Sequence, residues 1–427
     1  MSIHLETDCV IAGGGPAGLM LGLLLARAGV DVVVVEKHAD FLRDFRGDTI
    51  HPSTQNILDE LGLLDDFHAR PHADTDRVTL SWRGTEITLA DFTRLPGRTR
   101  VLSFMPQWDF LDLLADAADR HPNFLLIRST KIERVIRSGD RIVGVAGTGT
   151  DGDVEIRARL VVGADGRDST LREAAGVDPI VIATSMDVLW FRLPKTPGDR
   201  HPFVQAGDGL LITIDRGDFF QVAHVIGAGT WAGDDRLSRM KERVARISPP
   251  VSDAVDALVL EDVHLLRVRL ERLRRWYTDG LLFIGDAAHA MSPAGGVGIN
   301  LAIQDAVAAA RLLAPILVRG ETPRPSDLRR VQRRRSWPTR VTQFVQRRIQ
   351  GPLLSTGSRR MPVPLRLLGR FGVLSRATGR LVGLGVRPER VGVESLRRGQ
   401  SVARRTGTRS TGLGQMSRRS ASSSEMP

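Results

Sequence analysis

The chain has 427 residues, 42% of them hydrophobic, which suffices for two or three domains around a large core and is too apolar for a disordered or fibrous protein. Its single cysteine, Cys9, excludes an intramolecular disulfide and a cysteine zinc site; no metal is expected, and the reducing cytoplasm is the natural compartment. The net charge of +11 is uneven: from Glu321 onward 24 Arg and no Lys stand against five acids, +19 in all, so residues 1–320 carry −8 and the body is mildly acidic.

An apolar strand is expected near residues 8–12, a helix over 16–28 and a β-branched strand over 32–35, together a βαβ unit. Pro16 suits a first helical turn and Gly29 stops the helix. Helices are expected near 53–64 and 107–120, with a hairpin at about 78–89 between them. Short strands near 124–127, 132–136, 141–147 and 154–156 read as a meander ending in an apolar strand, 160–164, that returns to the first sheet. Residues 181–273 alternate apolar and polar around a helix near 236–247, and a strand at 280–284 leads through glycines into a long helix ending near Leu317.

A further helix over 326–348 carries Arg333, Arg334, Arg335, Arg347 and Arg348, read as a solvated face. The one long apolar stretch, residues 10–26, is broken by glycines and Pro16 well short of a membrane span, and Glu6 and Asp8 oppose a signal peptide. These elements predict an α/β protein with α+β elements. A Rossmann-like domain comes from residues 1–75, 100–178 and 276–350, and an inserted, mainly antiparallel β-sheet facing substrate from 76–99 and 179–275. A C-terminal helical segment, 351–398, and a disordered basic tail, 399–427, follow.

Gly13, Gly15 and Gly18 fit G-x-G-x-x-G immediately after a strand, with Pro16 and Ala17 opening the helix. Gly13 permits the tight turn, Gly15 lets backbone approach a pyrophosphate, and Gly18 lets helix and sheet pack closely. Glu36, followed by Lys37, ends the second strand, where a carboxylate accepts from adenosine ribose hydroxyls. This motif alone does not separate FAD from NAD. Two later signatures do: Gly163-Ala164-Asp165-Gly166-Arg167 after the returning strand, and Gly285-Asp286-Ala287-Ala288-His289 after the late one.

The three motifs in this order resemble the single-component flavoprotein monooxygenases related to para-hydroxybenzoate hydroxylase, over roughly residues 5–320. The resemblance implies FAD as cofactor, NAD(P)H as co-substrate, and oxygen transfer from O2 through a flavin C4a-hydroperoxide. It implies that Asp286 accepts from the ribitol, and that the Asp165 turn serves the pyrophosphate and NAD(P)H, although an Asx turn capping the next helix explains Asp165 equally simply. Arg46, with Arg43 as rival, matches a cofactor-edge arginine, and Gln107 a ribitol contact. The resemblance also sets Pro293 against the flavin where oxygen reacts. It further implies that backbone groups of Gly298, Ile299 and Asn300 lie at the pyrimidine side, where a helix N-terminus stabilises an anionic ring by about 1 kcal/mol. Val297 stands where relatives often carry Gln or Glu.

His289 reads as a packing group rather than a proton donor. Trp190, Arg192, Phe220, Gln221 and His224 are candidates to line a substrate pocket, although strand alternation puts only some on one face. The only tyrosine, Tyr277, argues against a tyrosine relay deprotonating a phenol. The expected substrate is an aromatic, quinone-like or polyketide small molecule, hydroxylated or epoxidised. The alternative is a flavin-dependent reductase or halogenase on the same scaffold, the halogenases' paired-tryptophan signature being absent. No specific nucleic acid is expected, since the basic region has few aromatics for stacking; weak peripheral contact through it, and a monomer or homodimer, complete the expectations.

Overall fold

The computed structural model describes residues 3–392 apart from 43–48, 184–185, 197, 199–200, 208 and 355–360. Arg43 and Arg46, and the tail expected to be disordered, lie outside the described residues.

The chain opens with β1 (Ile3–Ala12), α1 (Pro16–Arg27) and β2 (Val32–Val35), followed by β3 (Phe124–Ile127), β4 (Gly152–Gly163) and β5 (Leu281–Phe283). β1 pairs in parallel with both β2 and β4, β2 with β3, and β4 with β5, giving the order β5-β4-β1-β2-β3 within an eight-stranded sheet. Parallel strands buried on both faces demand near-continuous apolar runs, and the four valines of β2 are all buried. Helices cover one face: α1 and α2 (Gly298–Val318), with the helix Gln107–Asp119, pack Leu19, Leu23, Ile303, Val307 and Phe110 into the main core. On the other face, strands Thr130–Ser138 and Arg141–Gly149 contribute Ile132, Ile142 and Val145 to a second core with Val10, Val33 and Ile156.

Two expectations about this sheet are corrected. The 124–127 strand is not part of the meander: it extends the parallel sheet, Phe124 in register with Val32, because Asn123 O accepts from Val32 N at 2.9 Å. The meander's last segment and the returning strand are one continuous strand, β4, in parallel register with β1 from Ile3↔Val154 to Ala12↔Gly163. The charged stretch that reads as a break, Arg157 to Arg159, sits where Arg159 turns to Asp8 on the neighbouring strand at 2.5 Å, so the ladder continues beneath it.

The seven-stranded second sheet is largely antiparallel and includes Arg77–Trp82, Thr85–Asp91, Met186–Pro194, Leu210–Asp215 and Phe219–Gly227. One face packs on the helix Arg236–Ile247 through Leu189, Phe191, Leu211 and Val222. The other meets the C-terminal helices α4 (Val363–Arg370) and α5 (Gly372–Gly383), reached through α3 (Pro325–Leu354). Gly379 of α5 lies so close to this sheet that a Cβ there would stand 2.1 Å from Asp91 O. The segment Ala294–Val318 is long and apolar enough to cross a membrane; most of it is buried between α1 and the sheet, as the core helix of a packed domain.

α3 departs most from expectation. Arg335 is not on a solvated face: it is fully buried, its Nε donating to Asp305 Oδ1 at 2.9 Å and its Nη1 to Arg387 O at 3.2 Å. Arg334 sits beside it in a bidentate pair with buried Glu389. Leu328 and Val331 join the apolar core near the start of α3; beyond them its inward face is polar, because its partners there are main-chain carbonyls and two buried carboxylates.

Candidate functional site

The parallel register brings the three motifs together. Ala12 is level with Gly163 and Val35, and Gly163 with Phe283, so the glycine turn, the Asp165 turn and the Asp286 turn leave the same edge of adjacent strands. Open parallel sheets bind ligands at this carboxyl edge. The turns are tied to the strands: Gly13 N donates to Val35 O, Ala164 N to Ala12 O, and Ile284 N to Gly163 O.

The first turn is compressed. A Cβ on Gly18 would lie 1.9 Å from Gly13 O, and one on Gly13, whose φ is +108°, would lie 2.4 Å from Ala164 O. Gly15 has open space at its Cβ position, and α1 begins at Pro16 without a side-chain cap, leaving its N-terminal mouth clear. Glu36 is buried behind it, Oε2 accepting from Gly14 N at 2.7 Å and Oε1 from His38 N at 3.1 Å. Lys37 is exposed beside it.

In the second turn both Asp165 oxygens are engaged locally, Oδ1 with Ser169 Oγ at 2.5 Å and Oδ2 with Leu171 N at 3.0 Å, while Ser169 caps the helix Thr170–Ala175. Burial pushes its carboxyl above the usual range, against those hydrogen bonds. This is the capping arrangement weighed for Asp165. The sequence reading missed Arg172, which is buried and donates to both Arg167 O and Ala287 O, stitching the second turn to the third. Arg167 Nη2 also stands 3.6 Å from Asp286 Oδ2, and Asp286 remains one-third exposed.

The third turn runs into the loop at the start of α2. There Asn300 uses its whole carboxamide: Oδ1 accepts from His51 N at 2.9 Å and Thr54 Oγ1 at 2.7 Å, and Nδ2 donates to Thr49 O and Gly296 O. Gly296, φ +60°, lies against Thr49, which a Cβ would meet at 2.7 Å. Gly298 and Ile299 open the helix without a side-chain cap. Gln107 heads its helix directly after the strand Leu102–Phe104, which pairs with Thr49–Ile50 at the same corner.

His51 is a second residue that motif reading missed. Its Nδ1 lies 2.7 Å from Val382 O, a carbonyl that can only accept, so Nδ1 carries the proton. Burial drives its pKa down to about 4 despite the carbonyls of Val382, Gly296 and Gly295, and the ring is neutral at physiological pH.

This donor set fits FAD. An uncapped helix mouth suits the pyrophosphate, a buried carboxylate the ribose, an exposed acceptor the polyol, and a second uncapped helix the electron-rich end of the ring. Comparison with known proteins agrees: residues 6–345 match the family model described as FAD binding domain, and 6-methylpretetramide 4-monooxygenase of Streptomyces rimosus is 39% identical over 367 residues, 82% of this chain and 85% of that enzyme. The chain belongs to the FAD-dependent aromatic monooxygenases. Among solved structures, the Diels-Alderase PyrE3 of pyrroindomycin biosynthesis superposes with a TM-score of 0.71 at 26% identity, covering 89% of this chain and 81% of its own. OxyS anhydrotetracycline hydroxylase from Streptomyces rimosus gives 0.72 at 23% identity, over 91% and 78%, a likeness of fold.

In this monooxygenase the substrate candidates divide between two faces of the second sheet. Trp190 pairs with Ala223 and Arg192 with Gln221, on the face shared with Ile212 and Ile214. There Trp190, Phe104, Phe203, Ile214, Val382 and Leu384 form an apolar cluster beside the Thr49 corner, with Phe104 and Phe203 ring centroids 4.9 Å apart. Phe220 and His224 point the other way. Phe220 packs toward the helix Arg236–Ile247, and His224, on the same face, is buried near Arg243. They are withdrawn as substrate contacts, because alternation on one strand fixes their parity opposite to Ala223. Tyr277 lies in the edge strand Tyr277–Thr278, under Arg275 and away from this cluster.

His224 yields a stability prediction. Among the described residues neither ring nitrogen has a partner, and burial, with nearby Arg243, lowers its pKa to about 3. A depressed folded pKa means stability is intact above the ordinary histidine value and lost as pH falls from there toward 3. His224→Leu should therefore be the more stable protein, by about 1–3 kcal/mol at pH 5 and less at pH 8, with NAD(P)H oxidation unchanged. Urea unfolding at the two pH values checks it; equal stability at pH 5 would count against an unpartnered imidazole.

Proposed function

We propose that this monooxygenase inserts one oxygen atom of O2 into an electron-rich ring of a polycyclic aromatic polyketide, with NAD(P)H as reductant. The observation that carries the substrate class is the apolar cluster of Trp190, Phe104 and Phe203 next to the Thr49 corner, against which Gly296 of the Pro293 loop packs. The hydroxylating relative, named for a pretetramide, supports the same class.

Bound FAD would supply the hydride acceptance from NAD(P)H and the activation of O2; the chain supplies binding, orientation and exclusion of water. The amides at the mouth of α1 receive the pyrophosphate, Glu36 accepts from the adenosine ribose, and Asp286 accepts from the ribitol. Gln107 adds a contact at the ribitol corner. Backbone amides of Gly298, Ile299 and Asn300 favour negative charge on the ring's pyrimidine side, and the dipole of α2 acts in the same direction. Pro293 closes the reacting side without an N–H that would hold water there. The apolar cluster stacks the substrate's rings, and Arg192 with Gln221 forms the polar end of that face.

The purified protein should be yellow, and a polycyclic phenol should accelerate NAD(P)H oxidation and gain one atom of label from isotopic O2. NAD(P)H oxidation with no label in the organic product would instead make the protein a reductase. An isomeric product formed without NAD(P)H would point to cyclisation chemistry of the kind named for PyrE3.

A further inference from the structure

One side of α3 carries a stripe of hydrogen-bonding side chains, half-buried Gln332 followed by buried Arg335, Thr339, Gln343 and Gln346. Three glutamines reach across to main-chain atoms of the domain. Gln332 binds Arg274 O and Trp276 N; Gln343 Nε2 donates to Glu271 O at 3.0 Å and Ala290 O at 3.4 Å. Gln346 Nε2 donates to Ser292 O and to Ala294 O, each at 2.9 Å.

Those last two carbonyls flank Pro293. Because both acceptors are carbonyl oxygens, the carboxamide orientation is forced, with its nitrogen toward the loop. Between Ser292 and Gly296 the chain has little support of its own, namely Ala294 N to Ser292 Oγ at 3.2 Å and Gly296 N to Pro293 O at 3.0 Å. Pro293 thus stands in a loop held at two places, Gln346 binding the carbonyls of Ser292 and Ala294 and Asn300 binding Gly296 O. Asn300 belongs to the cofactor-binding helix, whereas Gln346 touches no residue assigned to FAD.

We propose that Gln346 is a positioning residue: by clipping the carbonyls on either side of Pro293 it fixes where this proline stands against the flavin, and so how much activated oxygen reaches substrate rather than leaving as hydrogen peroxide. The inference rests on the reading that Pro293 faces the reacting side of the ring. Misplacement by a fraction of an ångström at such a position costs transfer to substrate much more than it costs cofactor binding.

The test compares three variants of the FAD-loaded enzyme for product formed per NAD(P)H consumed, hydrogen peroxide released and the visible flavin spectrum. Gln346→Leu should raise the peroxide share at least about threefold and shift the spectrum, with FAD affinity held within about threefold. Gln332→Leu removes two bonds from the same helix face and should leave coupling and spectrum as in the parent. Gln346→Glu cannot donate when ionised but can when protonated, so its coupling should recover as pH is lowered through the raised pKa of a carboxyl facing carbonyls. A merely structural glutamine would not produce that profile. Parental coupling in Gln346→Leu overturns the proposal; should that variant fail to fold, a pH-independent coupling in Gln346→Glu does so. A parent that consumes NAD(P)H without inserting oxygen removes the reading beneath the proposal, and is distinguished by needing no variant.

Discussion

Arg335→Leu should destabilise the protein by about 3–5 kcal/mol, lowering its melting temperature by on the order of 10 °C. Arg335 and Asp305 are both completely buried, and the carboxylate is held between Arg335 Nε at 2.9 Å and His289 Nε2 at 2.5 Å, with Gly285 N donating to it as well. Burial pushes Asp305 up, but His289 and Arg335 outweigh it and keep the carboxyl below the usual range. Its contribution to stability is therefore present above the ordinary aspartate pKa and lost as pH falls through the lower folded value. Without Arg335 one of the two groups that offset burial is gone and the carboxyl's pKa rises, so the variant's deficit is largest at neutral pH and narrows as acid neutralises Asp305. Because Asp305 also holds Gly285, the residue before Asp286, FAD should dissociate more readily from this variant. Asp305→Leu combined with Arg335→Leu should recover only part of the lost stability: the charges leave together, but His289 Nε2 and Gly285 N lose their acceptor. Thermal unfolding of the apoprotein at pH 5 and 7.5 reads all three. A single variant within about 1 kcal/mol of the parent at both pH values would show that the pair does not brace the helix.

The sequence exposes those parts of the site whose chemistry is local. A glycine turn after a strand, a carboxylate ending the next strand and an aspartate after a later one are each set by a few consecutive residues, and parallel register alone suffices to align them. What it hides is settled by tertiary neighbours. Nothing local separates Arg335 from Arg333 or Arg334, because only the packing of α3 decides which points inward. The glutamine spacing from Gln332 to Gln346 was a usable signal, yet a stripe of polar residues ordinarily marks the solvent side of a helix, and here Trp337 and Phe344 are the ones left more than half exposed. Similarly, alternation divides Phe220 and His224 from Gln221, but relating them to Trp190 and Arg192 requires the cross-strand register Trp190↔Ala223. Asn300 and His51 were obscured for a different reason: their partners lie hundreds of residues away, at Thr49 and Val382 respectively.

Asp286→Ala should yield a folded but colourless protein. The carboxylate stands at the sheet edge, one-third exposed, with Arg167 at 3.6 Å as its ion partner, so its removal leaves no buried group unpaired. Neighbouring Gly285 and Ala287 are buried and held by Asp305 and Arg172, independently of the Asp286 side chain. The apoprotein's unfolding midpoint should thus stay within about 0.5 kcal/mol of the parent. For FAD the loss is large, since a charge-assisted hydrogen bond contributes about 1.5–3 kcal/mol and a polyol can present two hydroxyls to one carboxylate. FAD affinity should fall by about 100-fold or more. Asp286→Asn retains one acceptor oxygen without the charge and should fall between the two. Flavin fluorescence titration of the apoprotein measures the affinities, and circular dichroism verifies the fold. If Asp286→Ala emerges yellow, with parental FAD stoichiometry, the carboxylate is not the polyol's acceptor, and the Arg167 side of the second turn becomes the place to seek it.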